Sequence, residues 1–295
     1  MAGLKEIRIR LKSVRNTKKI TYAMKLVSAA KLKKAQDAVT KAREYTNALN
    51  KLLNELSNEQ GLGDAQHRLM EVRSAVKHIR LVVIGGSRGL CGGYNTNVQK
   101  KIEEFVAEKS RTNPAAQISS VLVGKRPADY YRRKRREYLK SFEDLQEDPN
   151  RWPLAQICQD LEQDFLAGEV DEVYVLSTKF RSAISVTPQV EKLLPMTADT
   201  GSNQKNTEAS GTTLFEPSAA EVFSAIIPRI MRAKVRQAAL DAKASEHGSR
   251  MTAMDSATRN ANDLIDSLQL KHNKVRQAGI TAQLLDIVGG AEALK

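Results

Sequence analysis

The chain has 295 residues, 41% of them hydrophobic and 27% charged, which is enough apolar material for one or two packed domains and too much for wholesale disorder. Lysine and arginine number 47 against 34 acidic residues, a net charge of +13, and no run of 18 uncharged apolar residues occurs, so no membrane-spanning helix is predicted. Two cysteines, Cys91 and Cys158, exclude a disulfide framework and suit a reducing compartment.

The basic excess is concentrated at the start. Residues 1–57 carry 14 basic and 4 acidic side chains, whereas residues 58–217 carry 22 of each. The first segment is therefore expected to face an acidic partner, a nucleic acid or an anionic surface. A basic, acid-poor start also suits a mitochondrial transit peptide, but the helical pattern here runs unbroken through Leu56. Apolar and small residues recur at Leu4, Ile7, Leu11 and Val14, then Thr17, Ile20, Met24 and Val27, and again at Ala35, Ala38, Ala42, Tyr45, Leu49, Leu52 and Leu56. That 3-4 alternation predicts one long helix with a narrow apolar seam, its phase slipping near Thr17 and Lys31. Gly61 and Gly63 end it, at a length of roughly 80 Å, too long to be enclosed by one small globule.

The middle of the chain alternates strand and helix patterns. His78 to Gly86, Ile118 to Gly124, Glu172 to Ser177 and Ile184 to Leu194 read as strands; Asn97 to Lys109, Asp129 to Leu145 and Leu154 to Leu166 read as helices. The alternation predicts a mainly parallel sheet covered by helices, over residues 74–196. Residues 197–216 are polar and apolar-poor, a linker or loop.

The C-terminal segment, 217–295, mirrors the N-terminal helix of residues 1–60. Ser218 followed by Glu221 forms a capping box, and a second long helix runs on, with Pro228 expected to bend it. Its expected seam is Met254, Ala257, Ala261, Leu264 and Leu268, then Val275, Ala278, Ala282 and Leu285. Two long helices with narrow seams need partners. An antiparallel pair within the chain is expected, because the folded middle brings both helix roots together; separate coiled coils with other copies are the alternative.

Catalytic signals are sparse. The cluster Gly85-Gly86-Ser87-Arg88-Gly89-Leu90-Cys91-Gly92-Gly93-Tyr94-Asn95 follows a strand, where phosphate loops occur, but it matches neither the P-loop nor the dinucleotide fingerprint. A structural turn or subunit contact is the better reading. His67, His78, His247 and His272 have no metal-ligand spacing. Arg132-Arg133-Lys134-Arg135-Arg136, with Tyr130, Tyr131 and Tyr138, suggests nucleic-acid binding, or else a solvated helix face with its tyrosines packed on the sheet.

Three separated stretches carry a resemblance. Asn16-Thr17-Lys18-Lys19-Ile20-Thr21 with Ala23-Met24-Lys25-Leu26-Val27-Ser28-Ala29, then Gly89-Leu90-Cys91-Gly92-Gly93-Tyr94-Asn95, then Ser245-Glu246-His247 with Arg250-Met251-Thr252-Ala253-Met254 and Asn273-Lys274-Val275-Arg276-Gln277-Ala278 stand in the order seen in the gamma subunits of F-type ATP synthases. The chain resembles that family, in its bacterial form, over essentially its whole length.

The resemblance implies an α/β protein with a long α-helical coiled coil: the two termini as an antiparallel pair, and a Rossmann-like, mainly parallel α/β domain. It implies a non-catalytic central rotor shaft, without cofactor or metal. The shaft would couple proton-driven rotation of the membrane ring to the conformational cycling of three catalytic beta subunits. Implied partners are three alpha and three beta subunits, the epsilon and delta subunits and the c-ring, with no nucleic acid, at the cytoplasmic face of the bacterial cell membrane as a peripheral protein. Position by position, Met24 with Lys18, Lys19 and Lys25 matches a region facing an acidic lever of beta. Arg250, Gln277 and Thr281 match contacts to the beta catch loops, and Phe215 and Glu216 match a foot on the rotor ring. Gln283 stands where some members carry a carboxylate. The competing reading is a basic coiled-coil nucleic-acid-binding or scaffold protein.

Overall fold

A computed structural model describes residues 2–58, 67–183, 185–196, 216 and 218–292. Phe215 and nearly all of the 197–216 segment lie outside the described residues. The elements in chain order are α1 (Ala2–Asn58), β1 (His78–Ile84), α2 (Tyr94–Thr112), β2 (Gln117–Val123), α3 (Lys125–Lys134), β3 (Lys140–Phe142), α4 (Leu154–Ala167), β4 (Glu172–Phe180), β5 (Val186–Leu194) and α5 (Ala219–Glu292). The chain divides into two compact units: residues 1–30 with 250–295, and residues 31–249.

The larger unit is built on a sheet ordered β3-β2-β1-β4-β5. Its first three neighbour pairs are parallel, and β5 returns antiparallel on β4. Side chains alternate between the two faces with the strand period of two. Val82, Ile84, Val121, Val123, Val173 and Val175 join a core with Leu161 and Phe165 of α4, Leu49, Leu53 and Leu56 of α1, and Ile227, Ile230 and Met231 of α5. Ile79, Leu81, Val83, Leu122 and Leu176 point the other way, onto Val98, Ile102 and Phe105 of α2 and Tyr131 of α3. The predicted strands are present within a few residues of their expected ends.

Within the α/β domain one expected helix is not formed. The stretch 129–145 is not a single helix: α3 stops at Lys134, and Lys140–Phe142 joins the sheet edge beside β2. The stop is local. Arg135 turns left-handed at φ 52°, and its N–H and that of Arg136 reach back to the Arg132 and Tyr131 carbonyls. Those bonds satisfy the orphan carbonyls that end a helix, here without the usual glycine.

At the other end of the sheet's β1–β2 pair, Gly124 has φ 109°, and a Cβ there would stand 2.5 Å from the Gly85 carbonyl oxygen. Gly85 itself donates to the Val123 carbonyl at 2.9 Å. Glycine is thus demanded at 124 by the close approach of two backbones, and at 85 by the Pro127 ring, whose Cγ would stand 2.5 Å from a Cβ. The capping box at the start of α5 forms as expected, with the Glu221 N–H donating to Ser218 Oγ at 3.3 Å, and α5 continues through Pro228.

Candidate functional site

In the larger unit the sheet order reverses between β1 and β4, and open α/β sheets bind nucleotides just beyond such a switch point. Here that crevice is filled by the chain's own C-terminal helix. Ser249 Oγ donates to the Cys91 carbonyl at 2.5 Å, the Tyr94 hydroxyl donates to the Ala242 carbonyl at 3.1 Å, and Ser245 Oγ donates to the Thr178 carbonyl at 3.2 Å. A Cβ on Gly248 would approach Ala183 Cα at 3.1 Å, a tight contact that glycine avoids where the helix seats. Asp241 completes the joint, accepting from the Phe180 N–H, from Arg43 of α1 and from Gln237. Burial pushes its carboxyl above the usual aspartate range, against the pull of those donors. The glycine cluster is accordingly a structural turn that docks α5.

The basic cluster on α3 is tied down in part. Arg132 bonds Glu143 and Asp129, and Arg136 bonds Glu103. Tyr130 and Tyr131 are buried against the sheet, where nucleotide bases cannot stack on them. Burial and then the Glu103 hydrogen bond push the Tyr130 phenol up to about 12, so it remains a donor.

The smaller unit pairs the start of α1 with the end of α5. Cross-links between the two helices descend in order, Arg15 to Gln269 at 3.1 Å, Thr21 to Thr258 at 2.9 Å and Lys25 to Asp255 at 2.6 Å, which makes the pair antiparallel. The inward positions on α1 are Leu4, Ile7, Leu11, Val14, Lys18, Thr21, Lys25 and Ser28. In the larger unit Leu32, Ala35, Val39, Ala42, Thr46, Leu49, Leu53 and Leu56 continue the same alternation. The heptad therefore never slips. The expected seam residues Thr17, Ile20, Val27, Tyr45 and Leu52 are exposed, because helix geometry keeps one stripe inward whatever side chains occupy it. The α5 stripe is Met254, Thr258, Ala261, Ile265, Leu268, His272 and Val275; the expected Leu264 and Leu285 are exposed.

Polar groups can sit in this seam because they are bonded. Thr258 donates to Met254 O at 2.7 Å as well as meeting Thr21, and Asp255 receives both Lys25 and Arg259. The Lys25 hydrogen bond, reinforced by Arg259, holds the Asp255 carboxyl below its usual range. Such polar pairs in an apolar seam fix register.

Large apolar side chains are left facing outward: Ile9 and Ile20 are 62% and 60% exposed, and Tyr22, Leu26 and Val27 are also exposed. Beside them runs an open groove of about 800 Å³ walled by Arg8, Lys12, Arg15, Lys18 and Lys19, with Leu11 and Ile265 at its base and no carboxylate in its lining. Like charges set close together favour an acidic ligand surface. Beyond Val275 the described residues of α5 are exposed, including Ile280, Leu284, Ile287 and Val288.

The expected contact residues thus fall along one helical pair without converging on a point. Lys18 and Lys19 line the groove, Met24 is half-buried next to the Lys25–Asp255 pair, Arg250 is buried, and Gln277 and Thr281 are exposed on the last turns of α5. Glu216 is exposed. From the sequence alone Arg8, Lys12, Arg15 and Ile9 have no expected role, and Ile20 and Val27 belong to the expected inward seam, whereas all three apolar side chains face outward. Carrying the Leu4-Ile7-Leu11-Val14 phase forward without a slip would have found them.

A family model described as ATP synthase matches residues 3–294. Among curated proteins, the ATP synthase gamma chain of Moorella thermoacetica is 41% identical and that of Desulfitobacterium hafniense 40% identical, each alignment covering 100% of both chains. Among solved structures, a chain in the rotor of the Euglena gracilis mitochondrial ATP synthase matches with a TM-score of 0.63 at 17% identity, covering 95% of this chain and 99% of that one. A chain in the central stalk and c-ring of the Tetrahymena thermophila mitochondrial enzyme matches with a TM-score of 0.58 at 22% identity, covering 81% and 99%.

Proposed function

The chain belongs to the ATP synthase gamma-chain family and is the central shaft of that complex, and from this premise we propose that it carries no active site of its own and works by contact alone. The observation that carries the reading is the outward face of the helical pair, where large apolar side chains and a carboxylate-free basic groove lie on a support too narrow to enclose a substrate. The filled crevice at the sheet switch point supports the non-catalytic part, since the place where such sheets hold nucleotides is taken by α5.

In this reading the pair stands within a ring of three alpha and three beta subunits. Lys18, Lys19 and Met24 face an acidic lever of beta, with Lys25 held to Asp255 beside them, and Gln277 and Thr281 touch its catch loops while the buried Arg250 supports that surface from within. Epsilon and delta complete the soluble sector, and Phe215 and Glu216 rest on the c-ring. The location is then peripheral, at the cytoplasmic face of a bacterial membrane; no described helix is long and apolar enough to cross a bilayer. Different side chains point in different directions around the pair, so each beta subunit meets a different surface at any moment. The shaft's orientation biases each site's conformational population by differential contact, and turning it moves the bias from one site to the next.

Truncation after Gln277 tests the catch-loop contacts. It removes the exposed apolar end of α5 and, among the described residues, no buried one, so a complex reassembled with the truncated chain should still hydrolyse ATP while ATP-driven proton pumping falls severalfold. Full pumping in the truncated complex would contradict the contact at Thr281 and beyond it.

A further inference from the structure

In the larger unit a cavity of about 160 Å³ opens between α1, α5 and the turn at 148–150. Its floor is apolar, made by Ala35 and Ala38 of α1, Leu240 of α5 and Pro149. The cavity opens to solvent on one side, and an apolar space of about 150 Å³ is large enough for a benzene ring.

The charged groups around it are almost all engaged. Glu147 accepts from His247 Nε2 at 3.0 Å and lies 3.2 Å from Lys31 and 3.5 Å from Lys243. Lys243 also meets Glu246 at 3.3 Å. Burial opposes the charged form of Glu147, yet Lys243, Lys31 and His247 together hold its carboxyl below the usual range, so it stays an anion locked to its neighbours. Asp148 is turned onto its own loop, accepting from the Asn150 N–H at 3.0 Å and side chain at 2.9 Å. The cation left over is Lys34, at the rim of the cavity, which has no ion pair among the described residues.

We propose that this cavity binds a small amphipathic monoanion, its apolar body on Ala35, Ala38, Leu240 and Pro149 and its carboxylate on Lys34. An unfilled apolar floor rewards the body, and one uncompensated ammonium at the mouth selects a single negative charge; a dianion would meet Glu147 and Asp148 without a second free cation. The seated ligand touches both helices and the 148–150 turn at once, so it braces the joint between them. The site is independent of the shaft reading and is tested on the isolated full-length chain.

The probe is benzoate, followed by saturation-transfer NMR, with acetate supplying the head alone and benzyl alcohol the body alone. Benzoate should saturate with a dissociation constant on the order of 1 mM, and both controls should bind at least about tenfold more weakly. Lys34→Gln should weaken benzoate about tenfold, while Lys33→Gln, next to it but outside the cavity lining, should leave it unchanged. Ala38→Leu should fill the floor and abolish binding. Benzoate binding no tighter than acetate, or unaltered by Lys34→Gln, overturns the proposal; should Ala38→Leu fail to fold, the Lys34 pair of variants still decides it.

Discussion

Gly124→Val should cost about 3–5 kcal/mol of stability in the isolated chain. Two penalties combine at this position. The backbone sits at φ 109°, where a β-branched residue is strained, and the new Cβ would fall 2.5 Å from the Gly85 carbonyl oxygen. Neither neighbour can move freely. Gly85 is bonded to Val123, the Gly124 N–H donates to Phe142 at 2.8 Å, and the Arg126 N–H donates to Gly86 at 3.0 Å. These bonds tie together the ends of β1, β2 and β3, immediately under the turn on which α5 rests. Urea unfolding checks the result, and a change within about 0.5 kcal/mol would show that the two strand ends are not held as described.

Met24→Lys should leave the isolated chain folded and uncouple the complex. Met24 is only half-buried, so an ammonium can reach water from there, and stability should change by less than about 1 kcal/mol. In the assembled complex the same ammonium would join Lys18, Lys19 and Lys25 at the proposed contact surface, adding a further positive charge there. ATP-driven proton pumping should drop about tenfold while ATP hydrolysis persists, the separation expected when torque transfer is lost and chemistry is not. Unchanged pumping would make Met24 an ordinary packing residue.

Much of this molecule can be read in its sequence, for identifiable reasons. The strands announce themselves because buried parallel strands are continuous apolar runs such as Leu81-Val82-Val83-Ile84, and Ser218 with Glu221 marks the start of α5 through a local hydrogen bond that needs nothing distant. The three-residue strand β3 cannot be read this way, since Lys140-Ser141-Phe142 has no strand pattern and exists only because β2 offers an edge. The seam of α1 misleads for a more instructive reason. Ile20 and Val27 are apolar and Thr21 and Ser28 are not, so hydropathy alone assigns the wrong face. The structure buries Thr21 because Thr258 opposes it, and leaves Ile20 outside. Which residues a helix hides is a property of the pair, and a single helix's sequence holds half of that information. The apolar residues thus displaced to the outside are the ones that mark the proposed contact surface. The role of the glycine cluster was likewise legible only as an exclusion; that α5 fills the crevice depends on Ser245, Gly248 and Ser249, more than 150 residues away from Cys91 in the case of Ser249.

The claim on which the account rests is that this chain turns while its ring partners stay fixed. Cys91 and Cys158 are both buried, and burial pushes the Cys158 thiol up to about 12, so a single cysteine introduced at exposed Arg133 can be labelled selectively. With the ring subunits immobilised and a bead attached through Arg133→Cys, added ATP should drive sustained rotation of the bead in one direction. A bead that stays fixed while the same complexes hydrolyse ATP would contradict the shaft function directly.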